Sequence, residues 1–332
     1  MSFRNVLRLL PGMLATLFML VDCGGSQTSL PVGAFATREI GSSPLLRQRP
    51  WMSPLAQSAD LLYVSDQSGS IYVYSFPKGQ LVGMLTGFSS PAGLCSDKSG
   101  NVFITDTLAL EIFEYAHAGK KPIATLVDPG GYPEGCSVDA TTGDLAVTNY
   151  EAIVRKGPGN VSVFSHGSHN TTTYADPAVN QFFFCSYDGK GNLYADGVNA
   201  GTTQSEFVEL TPGSTQLANI TLNKRVGYPG GIQWNGGSLI IEDMFTDRLY
   251  HVAISGSTGT ITGVTVLKHN RSNLLAQFWI QGGTVIAPYG RTGRLANDVG
   301  FWSYPSGGLP TKILGAPGSA ELFGVAVSLA PK

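Results

Sequence analysis

A unit of two apolar runs joined by a glycine-centred turn recurs five times: "PAGLCSDKSGNVFITD" from Pro91, "PEGCSVDATTGDLAVTN" from Pro133, "FFFCSYDGKGNLYADG" from Phe182, "PGGIQWNGGSLIIED" from Pro229 and "LAQFWIQGGTVIAPY" from Leu275. Each is a β-hairpin signature. The starts lie 42 to 49 residues apart, the length of a four-stranded propeller blade. Third and fourth strands recur too, as "EIFEYAHAG" with "PIATLVD" and "SEFVELTPG" with "QLANITL". Such a unit cannot cover its own apolar sheet, so neighbouring units must cover it.

The ends of the chain supply a sixth unit. "ELFGVAVSLAP" around Leu322 matches a first strand with no second strand after it, whereas "ADLLYVSDQSGSIYVYSFPKGQLVGMLTGF" from Ala59 begins at a second strand. Joined, they make a blade whose innermost strand is C-terminal, which closes the ring and removes open sheet edges. The expectation is an all-β, six-bladed propeller over residues 54–332, with four-stranded blades at about 59–88 plus 321–330, 91–128, 133–176, 182–222, 229–268 and 275–315. Charged residues at 13% and 42 glycines suit short strands and tight turns. A formal net charge of −2 leaves no basic surplus for nucleic acid.

Residues 1–23 read as a targeting segment. Arg4 and Arg8 precede the apolar run "MLATLFMLV", which is too short to span a bilayer comfortably but suits a secretory signal. The segment ends "LVDCGGS", resembling a bacterial lipoprotein cleavage box in which Cys23 would be lipidated; Asp22 stands where a small residue is usual. Residues 24–53 lack periodicity and read as a flexible tether. The expectation is an exported protein with a lipid anchor. Three cysteines remain, Cys95, Cys136 and Cys185, so at most one pair can bridge. Each sits in an apolar first strand, where a small buried side chain is the plain reading.

The repeating Pro-x-Gly, apolar strand, Asp, Gly-Asn and second strand ending in Asp resembles the six-bladed NHL-repeat and gluconolactonase-like (TolB-like) propellers over about residues 59–330. The resemblance implies the fold and little about function, because this architecture carries hydrolases, lyases, binding modules and scaffolds.

Strand direction then selects a candidate face, since the start of each first strand and the end of each second strand lie together. The first set is Ala92, Glu134, Phe183, Gly230, Ala276 and Phe323; the second is Asp66, Asp106, Asn149, Gly197, Asp243 and Tyr289. The gluconolactonase-like resemblance implies a divalent metal here, held by a Glu with Asn or Asp residues. In the matching triplets only Glu134 offers an oxygen, short of the six to eight a hard cation wants. Asp106, Asn149 and Asp243 are weak additional ligands, and an Asp or Asn ending a strand commonly caps the next turn. The face is better supplied with aromatic groups: Tyr132, Tyr150, Phe183, Tyr228 and Tyr289. Such rings suit sugars or peptides. Phe184, Trp234 and Trp279 read as core.

Other chemistry is weakly signalled. No serine sits in a G-x-S-x-G elbow, no P-loop is present, and the His166/His169 pair in "HGSH" reads as a solvated loop. The sequence is therefore read as a non-catalytic propeller without a cofactor, binding a glycan, peptide or envelope component through Glu134 and the aromatic mouth. The alternative is a diverged lactonase-like or lyase-like enzyme using Glu134 with the outer Asp and Asn set.

Overall fold

A computed structural model describes residues 49–152, 157–199, 202, 204–269, 276–290, 296–316 and 321–331. The signal segment, Cys23 and the tether up to residue 48 lie outside the described residues.

Six sheets follow one another around an axis, each built from consecutive strands except the first, and all antiparallel save for the two-residue strand Thr221–Leu222, which joins the rim of the fifth sheet in parallel. In blade 1 the strand Leu322–Ser328 is innermost, followed outward by Leu61–Asp66, Ser70–Ser75 and Leu81–Thr86. Its register, Leu62 opposite Val327 and Val64 opposite Val325, closes the ring between the two ends of the chain. A short strand, Trp51–Met52, adds a fifth member at the rim by pairing with Met84 and Gly83. The folded ring thus begins inside the stretch whose composition reads as tether. Blades 2 to 6 open with inner strands Pro91–Ser96, Pro133–Val138, Gln181–Tyr187, Pro229–Asn235 and Trp279–Gln281. These inner strands and that of blade 1 contact one another in ring order.

Inner sheets are covered on both faces, which explains runs such as "LLYVSD", where all six residues are buried. Outer strands have only one covered face, and Gly307–Gly315 accordingly alternates between half-buried and exposed positions. Inner strands approach so closely that the repeat's glycine has no room for a side chain. A Cβ on Gly135 would stand 2.6 Å from the Phe183 carbonyl oxygen of the next blade.

Polar side chains stitch neighbouring blades. The residue just before Asp66, Asp106, Asn149, Gly197 and Asp243 in the second strands of blades 1 to 5 is Ser65, Thr105, Thr148, Asp196 and Glu242. Thr148 accepts from Gly135 N (3.0 Å) and donates to the Phe183 carbonyl of blade 4 (2.7 Å). Ser65 does the same between Gly324 N and the Ala92 carbonyl. In blades 4 and 5 a carboxyl takes this place: Asp196 accepts from Phe184 N (2.9 Å) and Glu242 from Gly231 N (3.0 Å). Both are fully buried, each with one oxygen lacking a hydrogen-bond partner. Burial pushes both carboxyls well above their usual range. In the neutral form a carboxyl can accept and donate as the hydroxyls do.

The longest tie belongs to Gln277 at the entrance to blade 6. Its Oε1 accepts from Val325 N of blade 1 (3.1 Å) and Leu94 N of blade 2 (3.0 Å), while its Nε2 donates to the Leu94 carbonyl (2.7 Å).

Cys95 and Cys136, on the inner strands of blades 2 and 3, form a disulfide with Cα atoms 5.7 Å apart. The plain reading of each cysteine as a small buried side chain therefore fits Cys185, the buried free thiol, and misses the bridge.

Candidate functional site

The axis is blocked rather than open. Phe184 of blade 4 and Phe323 of blade 1 stack across it with ring centroids 6.1 Å apart. A ligand approaching the mouth therefore meets a floor, and the side chains around that floor decide what it touches.

Four aromatic rings run in a chain along one side. Phe183 lies 5.6 Å from Tyr150 and 5.5 Å from Tyr228, edge-on to both, and Tyr228 lies 5.3 Å from Phe245. These edge-to-face contacts are the favoured arrangement for ring quadrupoles. Phe183 is buried, Tyr150 and Tyr228 are half-buried, and Phe245 is 50% exposed. The chain crosses three blades because Phe183 lies near the start of the inner strand of blade 4, Tyr150 near the end of the second strand of blade 3, and Tyr228 just before the inner strand of blade 5.

Glu134 stands beside this chain, at the position on blade 3 that Phe183 holds on blade 4. It keeps some exposure to solvent, yet protein encircles the carboxyl. Burial pushes its pKa up to about 8, opposed by a hydrogen bond with the Thr107 hydroxyl. Its charge in turn raises the phenols of Tyr228 and Tyr150, although desolvation is the larger cause for both. Among the described residues Glu134 forms no ion pair; the one found joins His269 to Asp247 at 3.0 Å.

Other sequence candidates go elsewhere. Tyr289 is 2% exposed and packs against Trp302 and His269 between blades, so its ring belongs to the core rather than to a ligand face. Tyr132 is half-buried and pairs through its backbone with Glu151 and Tyr150, with no ring contact to the aromatic chain. The weak metal ligands are engaged in turns. Asp106 accepts from Ser89 N and Ser90 N at 2.7 Å each, Asp243 from Gly227 N and Phe245 N at 3.1 Å each, and Asn149 donates to Asn160 and Ser162. Among the described residues no three His, Cys, Asp or Glu side chains group as metal ligands. The Asp106 and Asp243 oxygens that the enzyme alternative needs around Glu134 are thus pointed at backbone amides, whereas the Asn149 Oδ1 is buried with no hydrogen-bond partner among the described residues.

Phe245 is the contributor that sequence reasoning misses. Its signal was its place two residues after Asp243, in a turn that the strand-end rule stops short of. Trp234 stacks on Tyr194 at 5.5 Å with planes 7° apart, the packing role expected of it.

The opposite face carries a cavity of about 320 Å³ between blades 2 and 3, lined by Asp97, Lys98, Phe103, Glu114, Asp139 and His166 among others. Its polar groups are largely spent on one another. Asn101 bridges Asp97 (3.1 Å) and Glu114 (2.9 Å), Asp139 takes Thr141 and Thr142, and Lys98 meets the Ala140 carbonyl. The aromatic mouth keeps exposed ring area and a carboxyl that has no ion pair among the described residues.

No known protein-family profile matches the chain, and no curated protein matches it in sequence. Solved structures do. A chain in the crystal structure of a nidogen/laminin complex superposes with a TM-score of 0.67 at 15% identity, covering 82% of this chain and 100% of that one. The fold is a six-bladed β-propeller. A protein of unknown function from Bacteroides caccae matches with a TM-score of 0.62 at 12% identity, covering 82% of this chain and 99% of the other. At such identities the likeness speaks for the propeller and for nothing finer.

Proposed function

We propose that this propeller is a non-catalytic binding module that engages an extracytoplasmic partner through the aromatic mouth. The observation that carries the reading is the continuous ring chain Tyr150, Phe183, Tyr228 and Phe245 beside Glu134, which has no ion pair among the described residues. Exposed aromatic area on a rigid scaffold is the usual material of a recognition surface. The nidogen/laminin structure supports it as an instance of a similar fold in a protein complex. Export is part of the proposal, supported by the signal-like N-terminus and by the Cys95–Cys136 bridge, which persists where thiols are oxidised. Lipidation at Cys23 would tether the ring, and Cys23→Ser should then abolish lipid labelling.

The test is capture of the full chain on immobilised glycan and peptide arrays. Tyr228→Ala and Tyr150→Ala should each weaken capture by about 1–3 kcal/mol, the range for losing an aromatic contact, while Lys98→Ala on the far face should not. Capture that ignores both tyrosines and depends on Lys98 would move the site to the cavity between blades 2 and 3.

A further inference from the structure

Resting on that reading, we infer that the mouth recognises a protonated primary amine, the side chain of a lysine presented by a partner peptide. Glu134 supplies the counter-charge, and the faces of Tyr150 and Tyr228 supply the wall against which the ammonium and its methylene stem lie.

Three features favour a cation over a neutral or acidic ligand. A carboxyl enclosed by protein and, among the described residues, without an ion-pair partner is costly to ionise alone, and a ligand that brings a positive charge removes that cost. The tyrosine rings beside it present negative π faces, to which an ammonium is attracted most when water is excluded. Glu151 raises the Tyr150 phenol as Glu134 does, so among the described residues a second carboxylate lies near, held by the Gln181 amide (3.3 Å). The apolar stem of a lysine fits the same place, with Phe183 beneath and the half-exposed Phe245 ring alongside. A carboxylate ligand would bring a second anion into a place where burial already disfavours one, and a neutral sugar would draw nothing from the charge that Glu134 gains on losing its proton.

A proton is part of the recognition. The empty carboxyl holds its proton up to near neutral pH because burial disfavours the anion, whereas a bound ammonium favours the anion. The Tyr150 and Tyr228 phenols, both raised, stay neutral throughout, as does the Thr107 hydroxyl. Binding should therefore release a proton below about pH 8 and strengthen as pH rises towards that value.

The experiment titrates the full chain by NMR with the peptide acetyl-Gly-Lys-Gly-amide and with the same peptide carrying Nε-acetyl-lysine. The lysine peptide should bind saturably and about tenfold or more tighter than its acetylated form, the scale of a desolvated cation–π and charge pair. Glu134→Gln should erase that preference, and Tyr228→Ala should weaken the lysine peptide about tenfold. Because the wild-type carboxyl is neutral in both the folded and the unfolded chain at pH 4, Glu134→Gln should melt there as wild type does, which separates lost recognition from lost folding. Equal binding of the two peptides, or a preference that survives Glu134→Gln, overturns the amine assignment while leaving the aromatic mouth as a binding surface. Absence of binding by the lysine peptide at millimolar concentration overturns it as well, and only loss of tyrosine-dependent capture on the arrays would remove the broader reading.

Discussion

The rings of Phe184 and Phe323 stack 6.1 Å apart although they belong to blades 4 and 1, on opposite sides of the ring. A contact that bridges a diameter ties together blades that share no sheet edge. Phe184→Ala should cost about 3–5 kcal/mol in denaturant unfolding, the range for emptying a buried phenyl site. A loss below about 1 kcal/mol would mean that the inner strands hold the ring without the cross-axis pair.

Glu134 gives stability an uncommon pH dependence. Its folded pKa of about 8 lies above the ordinary value of 4.5, so the fold favours the protonated form. The penalty for ionising it is absent below about pH 4.5, grows as pH rises, and is complete above about pH 8. Glu134→Gln should match wild type in melting temperature at pH 4.5 and exceed it increasingly towards pH 8, then hold a constant lead. A difference that stays flat from pH 4.5 to 8 would place the carboxyl in freer contact with water.

The Cys95–Cys136 bridge closes a loop with a sequence separation of 41. Loop-closure entropy for that length corresponds to about 4 kcal/mol. Cys95→Ser should lower stability by up to that amount, and in unfolded, unreduced protein Cys136 should resist maleimide until a reductant is added. Labelling of Cys136 without reductant would show the two thiols free.

Deleting residues from Glu321 onward removes the inner strand of blade 1 and exposes the edge of Leu61–Asp66. The truncated chain should aggregate or be cut rapidly by protease. A synthetic peptide spanning residues 321–332 should restore resistance by adding back the strand. A truncated chain that melts cooperatively and resists protease without the peptide would show that the ring closes another way.

Fold and site were legible to different depths. The period, the glycine turns and the split blade are local signals, and the strand Leu322–Ser328 pairs where the broken repeat places it. The strand-end rule also brings Glu134, Tyr150, Phe183 and Tyr228 to one face. It fails for Tyr289 because ending a strand fixes height along the axis, whereas the packing of Trp302 and His269 fixes which way a ring turns. The girdle of Ser65, Thr105, Thr148, Asp196 and Glu242 was hidden for a related reason. Alternation says that these side chains leave the opposite face from their neighbours, but only the spacing between blades reveals that they reach the next backbone. The Trp51–Met52 strand is too short for any period to register.

Gln277 has a mechanical meaning for the seam where the chain ends meet. Its amide holds Val325 on one side of blade 1 and Leu94 on the far side, so a residue of blade 6 reaches over the closing strand and grips the blade beyond. Tension applied to the C-terminus would load this clasp together with the sheet bonds of Leu322–Ser328, making the join a locked clasp rather than a free zipper.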